Sequence, residues 1–427
     1  MTEHESMTEH ESMTEHESVT GRESMTGKGE RKAPSTHLAA KPHSSASVHL
    51  DAVRGLAALL VFFGHLRALF LVPFPGVLRP NALVTALYFV DGFGHAAVMV
   101  FFVLSGYLIS SSVFRSLETG RWSWGWYAQN RLTRLYVVLI PALLLCTFWD
   151  HLGMRLFGLD GVYGGSRHYS NILPGNISPL SSAGIWFGNL FFLQTILVPT
   201  LGSNVPLWSL SCEFWYYLLF PLCLFVLSRR PPLRVRLPCA LCAAGVAVFI
   251  GKGIMLSFPI WLMGTALCLL PAVRPAARRW LCPLASLLLL GALLAHRSHR
   301  IPSALGGDYL IATTFTLFLY GVLGSQSRLP ALYERAARFL SGVSYTLYLV
   351  HMPFLFFVTA FVIGPSALWQ PTAAHLGLGL VVVSATLVYV YLVWRLTEAN
   401  TDQVRRYITN TLSRPLRAAA LAEGEAR

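Results

Sequence analysis

Charged residues are scarce in this chain. Asp, Glu, Lys and Arg make up 12% of the 427 residues, whereas hydrophobic residues make up 54%. Soluble domains carry about 25% charged residues, so this balance argues against a soluble globular protein. The formal net charge of +13 does not indicate a nucleic-acid partner, because the arginines lie between apolar runs and no basic block with interleaved aromatic residues is present. The composition therefore predicts a polytopic membrane protein in contact with the lipid bilayer.

Cysteine is sparse and unclustered. The seven cysteines lie mostly inside apolar stretches, and the one close pair, Cys239 and Cys242, has no second pair to complement it. Structural metal sites need such clusters. We expect core thiols and no metal site.

A signal peptide is also lacking before the first apolar run. Residues 1–18 instead repeat MTEHES three times, and the repeat then decays into VTGRES and MTGKGE. A polar repetitive segment without an apolar face has too little hydrophobic surface to fold. Residues 1–45 are therefore predicted to be a disordered tail whose histidines are solvated.

Long apolar runs are abundant. Ten segments are of transmembrane length or near it, and they fall at about 52–72, 93–113, 135–150, 206–228, 237–252, 254–272, 280–295, 308–326, 340–363 and 374–395. The predicted fold is all-α, with a transmembrane domain over residues 46–397 and a tail over 398–427. Since no soluble domain follows the last span, any chemistry is expected within the bundle.

The basic residues predict the topology. An eleventh apolar segment, IWFGNLFFLQTILVP at 185–199, is short and contains Asn189 and Gln194. If it does not cross, most loop lysines and arginines lie on the cytoplasmic side; if it does, RRPPLRVR falls outside. We therefore predict that 185–199 is re-entrant or interfacial and that both termini of this plasma-membrane protein are cytoplasmic. The outer loop at 151–184 is the expected site of acceptor recognition.

The first span, LDAVRGLAALLVFFGH, carries unexpected polar residues. Arg54 and His65 are eleven residues apart, which places them on one helical face about 16 Å apart along the axis. Asp51 can pair with Arg54 at the inner interface, whereas His65 lies beyond the membrane midplane. An ionisable residue at that depth is a candidate for function, although a snorkelling arginine and a packing histidine remain the alternatives.

The fourth span, PLWSLSCEFWYYLLFP, places Glu213 at about the depth of His65, roughly 10 Å below the outer surface. A carboxylate and an imidazole at one depth are the pair that general base catalysis needs. We therefore predict that Glu213 orients His65. The alternative is a structural hydrogen bond that Glu213 accepts from the indole of Trp208 or from a tyrosine.

Two further spans carry supporting candidates. SYTLYLVH in the ninth span contains His351 near mid-membrane and Tyr345 toward the cytoplasm, where tyrosines are often interfacial. VFFVLSGYLIS in the second span contains Ser105 and Gly106, which also permit close helix packing. Trp208 completes the set of predicted supporting residues.

An arginine pair follows the second span. In RWSWGWYAQNRLTRLY, Arg131 and Arg134 share one helical face at the cytoplasmic surface. Guanidinium groups bind phosphates in a fork. A phosphate-bearing substrate and the anionic lipid headgroups are both possible partners.

Taken in order, these motifs resemble one family. Arg54 and His65, FFVLSGYLIS, Arg131 with Arg134, WSLSCEFWYY and SYTLYLVH are similar to the signature of the integral-membrane acyltransferase 3 family over about residues 48–397. Members acylate hydroxyls of glycans and of some natural products, using acyl-CoA. The resemblance implies a catalytic His65, a supporting Arg54, and phosphate binding by Arg131 and Arg134, with no tightly bound cofactor.

This chain departs from the family pattern in two respects. Met99 stands where members often carry an acidic residue, and we expect none of the soluble esterase-like domain that many bacterial members append. The sequence thus predicts a stand-alone O-acyltransferase that transfers acetyl or another acyl group to a surface glycan or a macrolide-type acceptor.

A transporter that uses His65, Glu213 and Arg54 as a proton relay is the alternative. Transporters often contain paired repeats with broken helices. No such repeat relates the two halves of this chain, which disfavours transport.

Overall fold

The fold is known from a computed structural model that describes residues 44–159, 161–165, 169, 172, 175–228, 231–298, 304–324, 328–364 and 367–411, all within one compact unit. The predicted N-terminal tail lies outside these ranges, apart from its last two residues, which belong to the first helix. The chain beyond residue 411 also lies outside them.

Twelve α-helices are found in the described ranges, and short 3₁₀ turns join some of them. They are α1 (Ser44–Phe70), α2 (Ala82–Asp91), α3 (Gly94–Glu118), α4 (Trp124–Phe157), α5 (Ala183–Leu190), α6 (Leu207–Leu227), α7 (Leu233–Met255), α8 (Phe258–Leu267), α9 (Pro275–Arg297), α10 (Ala304–Leu323), α11 (Ala331–Val362) and α12 (Ala373–Leu396). Residues 401–411, which fall in the predicted C-terminal tail, are helical as well. The all-α, polytopic fold predicted from the sequence is confirmed.

Nine membrane-spanning candidates are long and apolar enough to cross, among the helices of the described ranges. The sixth predicted span, 254–272, is different, because it contains only the ten-residue helix α8. The residues on either side of α8 extend this segment alongside α10. The hydroxyl of Tyr309 donates to the carbonyl of Leu256, and that of Tyr320 donates to the carbonyl of Pro271, both at 2.7 Å.

These two contacts show that the segment 256–271 runs parallel to α10. Helix α9 runs antiparallel to α10, since Arg278 near the start of α9 donates to the carbonyl of Gly324, just after α10 ends. These three consecutive segments therefore alternate in direction, and the short helix lies within the sixth predicted span.

The close crossing of α3 and α8 depends on two glycines. A Cβ on Gly106 would overlap the backbone oxygen of Trp261, and a Cβ on Gly264 would overlap that of Val103. Nearby, the hydroxyls of Ser110 and Thr265 are 2.6 Å apart. The packing role expected for Gly106 is thus realised.

Gly106→Leu should destabilise the bundle, because the added side chain separates two backbones that are in contact. Overpacking of this kind costs about 1–3 kcal/mol. We expect a lower yield of folded monomer in detergent and a lower thermal inactivation temperature. Gly245→Leu on α7 is the control, since a Cβ there meets nothing within 4 Å; equal losses for both variants would contradict the assigned contact.

The segment 185–199 does not form a helix of spanning length. Helix α5 ends at Leu190, and the chain then turns, with positive φ angles at Phe192 and Thr195. Its polar residues satisfy backbone groups. Asn189 donates to the carbonyl of Pro199 at 3.0 Å, and Gln194 donates to that of Leu207 at 2.9 Å. This agrees with the prediction that the segment does not cross.

Candidate active site

Helices α1 and α11 lie side by side and run in the same direction. At one end, Arg54 donates through Nε to the hydroxyl of Ser341 at 2.7 Å and through a terminal nitrogen to Asp51 at 2.8 Å. Ser341 in turn donates to Asp51 at 2.7 Å. The predicted Asp51–Arg54 pair is therefore formed, and a serine of α11 fixes it.

Further along the same two helices, His65 meets His351. Nδ1 of His65 is 2.9 Å from Nε2 of His351, and Nδ1 of His351 is 2.7 Å from the carbonyl oxygen of Leu347. A carbonyl only accepts, so the proton of neutral His351 is on Nδ1, and its Nε2 must accept from His65. Nε2 of His65 is then left unprotonated.

The environments of the two rings differ. His351 is fully buried, with 0% of its surface exposed, whereas His65 lines a cavity of about 1040 Å³ including its mouth. We call this the histidine cavity. An imidazole that lines a cavity, has a free Nε2 and is held through its other nitrogen by a buried partner has the arrangement of a general base.

The wall of the histidine cavity also contains polar and aromatic side chains. His95 lies 2.9 Å from Asp308, and its ring stacks on Trp208 at a centroid distance of 6.3 Å. Trp208, His95 and Arg297 all line the cavity. Trp208 thus faces the space next to His65 and is not a partner of Glu213.

The predicted contact between Glu213 and His65 is not formed. Glu213 accepts hydrogen bonds from Ser105 at 2.9 Å and from Tyr217, and Ser105 also accepts from Trp261 at 3.2 Å. The physical reason is the packing order. Helix α6, which carries Glu213, packs against α3 and α7, whereas α1 packs against α3 and α11.

Glu213 lines a second cavity, of about 900 Å³ including its mouth. We call it the arginine cavity, because Arg54, Arg131 and Arg134 line it. Arg131 donates to Ser112 at 3.2 Å and lies 5.7 Å from the ring centre of Tyr127. Its buried Nε has no hydrogen-bond partner among the described residues. Three guanidinium groups around one space can bind a polyanion.

The two cavities adjoin each other. Val98 and Tyr348 line both of them, and the hydroxyl of Tyr348 is 2.6 Å from that of Ser209. The arginine cavity follows α3 from Ile109 back to Val98, a rise of about 16 Å at 1.5 Å per residue. A long ligand that is held by the arginines therefore reaches the neighbourhood of His65.

Most residues predicted for the site come together here. Arg54, Ser105, Arg131, Arg134, Glu213 and Tyr345 line the arginine cavity, and His65 and Trp208 line the histidine cavity. The hydroxyl of Tyr345 donates to the carbonyl of Leu135 at 3.3 Å. Of the described residues of the outer loop at 151–184, only Ile172 lines the histidine cavity, and several residues of that loop lie outside the described ranges.

Sequence reasoning missed two residues of the site and assigned no role to a third, Tyr348. Ser341 holds Arg54, His95 lines the histidine cavity together with His65, and Tyr348 lines both cavities. His95 was detectable as a second histidine at the outer end of a span. Tyr348 resembles an interfacial tyrosine in the sequence, and a serine within a helix gives no signal of its own.

Comparison with known families identifies the family of the chain. The sequence profile of the acyltransferase 3 family, described as an acyltransferase domain, matches residues 48–394. The chain belongs to this family. The match spans α1 to α12 and includes every residue named in the two cavities.

One curated acyltransferase is similar to part of the chain. Over 204 residues the chain is 32% identical to the acyltransferase MdmB of Streptomyces mycarofaciens, a match that covers 46% of this chain and 43% of the relative. The similarity thus spans less than half the length of either protein. No solved structure matches the chain.

Proposed function

We propose that this acyltransferase 3 member is a membrane O-acyltransferase that moves an acyl group, acetyl in the simplest case, from acyl-CoA to a hydroxyl of a sugar-containing acceptor. The observation that carries the proposal is that the arginine cavity adjoins the histidine cavity, which His65 lines. One cavity suits a polyanionic donor, and the other brings an acceptor to a general base.

In the proposed reaction, the acceptor hydroxyl lies at Nε2 of His65 and attacks the carbonyl carbon of the thioester. The C–O bond forms as the C–S bond breaks. The hydroxyl proton passes to Nε2 of His65 and then to the departing CoA thiolate, so that His65 returns to its neutral form. His351 keeps Nε2 free by holding the other nitrogen, which makes it a positioning residue.

The donor is assigned to the arginine cavity because CoA is a polyanion with a long, flexible pantetheine arm. Arg54, Arg131 and Arg134 supply the phosphate contacts, and the arm follows α3 toward Val98 and Tyr348. Ser105 and Tyr217, both bonded to Glu213, then lie along its path. Glu213 acts in this proposal on the donor side, where it positions two hydroxyls.

The acceptor is assigned to the histidine cavity. Its lining combines Trp208 with the charged residues Arg67, Asp91 and Arg297. Sugars bind in such sites through an aromatic face and polar groups that hydrogen-bond to hydroxyls. A surface glycan and a glycosylated macrolide both carry the required hydroxyl.

Replacing Arg131 and Arg134 together with alanine should raise the KM for acetyl-CoA about tenfold or more, because charge-assisted bonds to phosphate are lost. The KM for acceptor should change little. Arg335→Ala with Arg338→Ala is the matched control, since these exposed arginines lie on α11 outside the cavity. Unchanged affinity for CoA would assign Arg131 and Arg134 to lipid headgroups instead.

The donor assignment also requires the arginine cavity to open to the cytoplasm. In a variant without native cysteines, Arg234→Cys at the start of α7 should resist an impermeant thiol reagent in intact cells, whereas Arg79→Cys in the first outer loop should react. Both positions are exposed. Labelling of the cysteine at 234, with none at 79, would invert the topology and place the donor on the wrong side.

A further inference from the structure

A third cavity opens between α1, α2 and α12. We call it the apolar groove; it measures about 840 Å³ including its mouth. Its walls are almost wholly hydrophobic and include Leu66 and Phe70 of α1, Leu87 of α2, and Leu376 and Leu380 of α12. The mechanism proposed above does not use this space.

The apolar groove adjoins the histidine cavity. Arg67 and Asp91 line both spaces, and Arg67 is two residues from His65. No residue that lines the apolar groove also lines the arginine cavity. A ligand in the groove therefore lies next to the acceptor side of the site, away from the donor.

The boundary between the two spaces is polar. The guanidinium of Arg67 lies 5.5 Å from the ring centre of Tyr88, and its buried Nε has no hydrogen-bond partner among the described residues. Asp91 is buried at this boundary and interacts with the charge of Arg67. Burial of an unpaired donor is costly unless a ligand satisfies it. A simple lipid chain has no polar group at the depth required.

We propose that the apolar groove binds the hydrophobic body of the acceptor, so that the acceptor is an amphipathic molecule whose hydroxyl-bearing part lies in the histidine cavity. Arg67 and Asp91 then contact the polar link between its two parts. The inference rests on the proposed function and narrows its substrate class to hydroxyl compounds with an apolar body. The donor acyl chain is the less favoured occupant, because the donor cavity has no wall in common with the groove.

Helix α12 offers a matched pair of test positions. Gly379 lines the groove, and Gly377 does not. A Cβ meets nothing within 4 Å at either glycine, so both accept a side chain without a backbone clash. Gly379→Phe should fill the groove, whereas Gly377→Phe should point elsewhere on the same helix.

The test uses decyl glucoside with a photoreactive diazirine at the end of its chain, in membranes that hold the full-length protein. We expect saturable labelling of α12 or α2, displaced by unlabelled decyl glucoside and not by methyl glucoside. Gly379→Phe should reduce the saturable labelling about tenfold or more, because most of the buried methylene contacts are lost. Gly377→Phe should leave it unchanged.

Three results would overturn the inference. If labelling does not saturate in the wild-type protein, in Gly379→Phe or in Gly377→Phe, then only lipid chains of the bilayer fill the groove. Equal labelling of the two variants would place the probe elsewhere. Displacement by decanoyl-CoA at lower concentration than by decyl glucoside would assign the groove to the donor. Release of CoA that depends on His65, followed in parallel, tests the proposed function separately from the labelling.

Discussion

His65→Ala should lower acyl transfer about a hundredfold or more and leave the protein in the membrane at normal abundance. The loss is that expected for a general base. Insertion should be unaffected, because an alanine at that depth costs less than an imidazole. His65 lies next to a cavity rather than in the tightly packed core, so its truncation removes few packing contacts.

The rate is measured as transfer of labelled acetyl from acetyl-CoA to endogenous acceptors in membranes, with protein level checked by immunoblot. His151→Ala is the control, since His151 is an exposed histidine of α4 that lines neither the histidine nor the arginine cavity. An abundant His65→Ala protein with wild-type transfer would reduce His65 to a helix-packing residue.

His351→Ala should have the second largest effect, a fall in kcat of about tenfold to a hundredfold with little change in the KM for acyl-CoA. Without the acceptor at Nε2 of His351, the ring of His65 loses the partner that fixes its proton on Nδ1 and leaves Nε2 free. His351→Gln should recover part of the rate, because the amide oxygen accepts the same hydrogen bond.

The ratio of kcat between His351→Gln and His351→Ala separates a positioning role of His351 from a packing role. A purely structural His351 would make both substitutions lower protein abundance and thermal stability in parallel, with no recovery in the glutamine variant. Glu213→Gln should retain more activity than His351→Ala, because the amide still accepts from Ser105 and Tyr217.

Much of the site was accessible from sequence because helix geometry is regular. The eleven-residue spacing places Arg54 and His65 on one face of any helix, and the structure has both facing α11. The apolar runs likewise identify the crossings, since lipid demands long apolar helices.

The contact partner of His65 could not be predicted from helix geometry. Depth in the membrane follows from counting residues, and it places Glu213 and His65 at similar levels. Lateral position does not follow from depth. It depends on which helices pack together. Helix α1 packs against α11 and α3, whereas α6 packs against α7 and α3. His351 was therefore recognisable as a candidate, but its contact with His65 was not.

The short helix α8 shows a second limit. The mean hydropathy of residues 254–272 depends on how many of them are apolar and takes no account of backbone geometry. Gly251 has a positive φ of 70° within α7, and Pro259 sits in the first turn of α8. Pro271 follows the end of α8. These residues shorten the helix without changing its composition.

The most direct test of the account is a double-mutant cycle on CoA release from acetyl-CoA, with His65→Ala, His351→Ala and the combined variant. If His351 acts through His65, the combined variant should be no slower than His65→Ala alone, because the positioning residue has nothing left to position. If the two losses multiply, His351 contributes independently, and the claim that this histidine pair forms the catalytic base is contradicted.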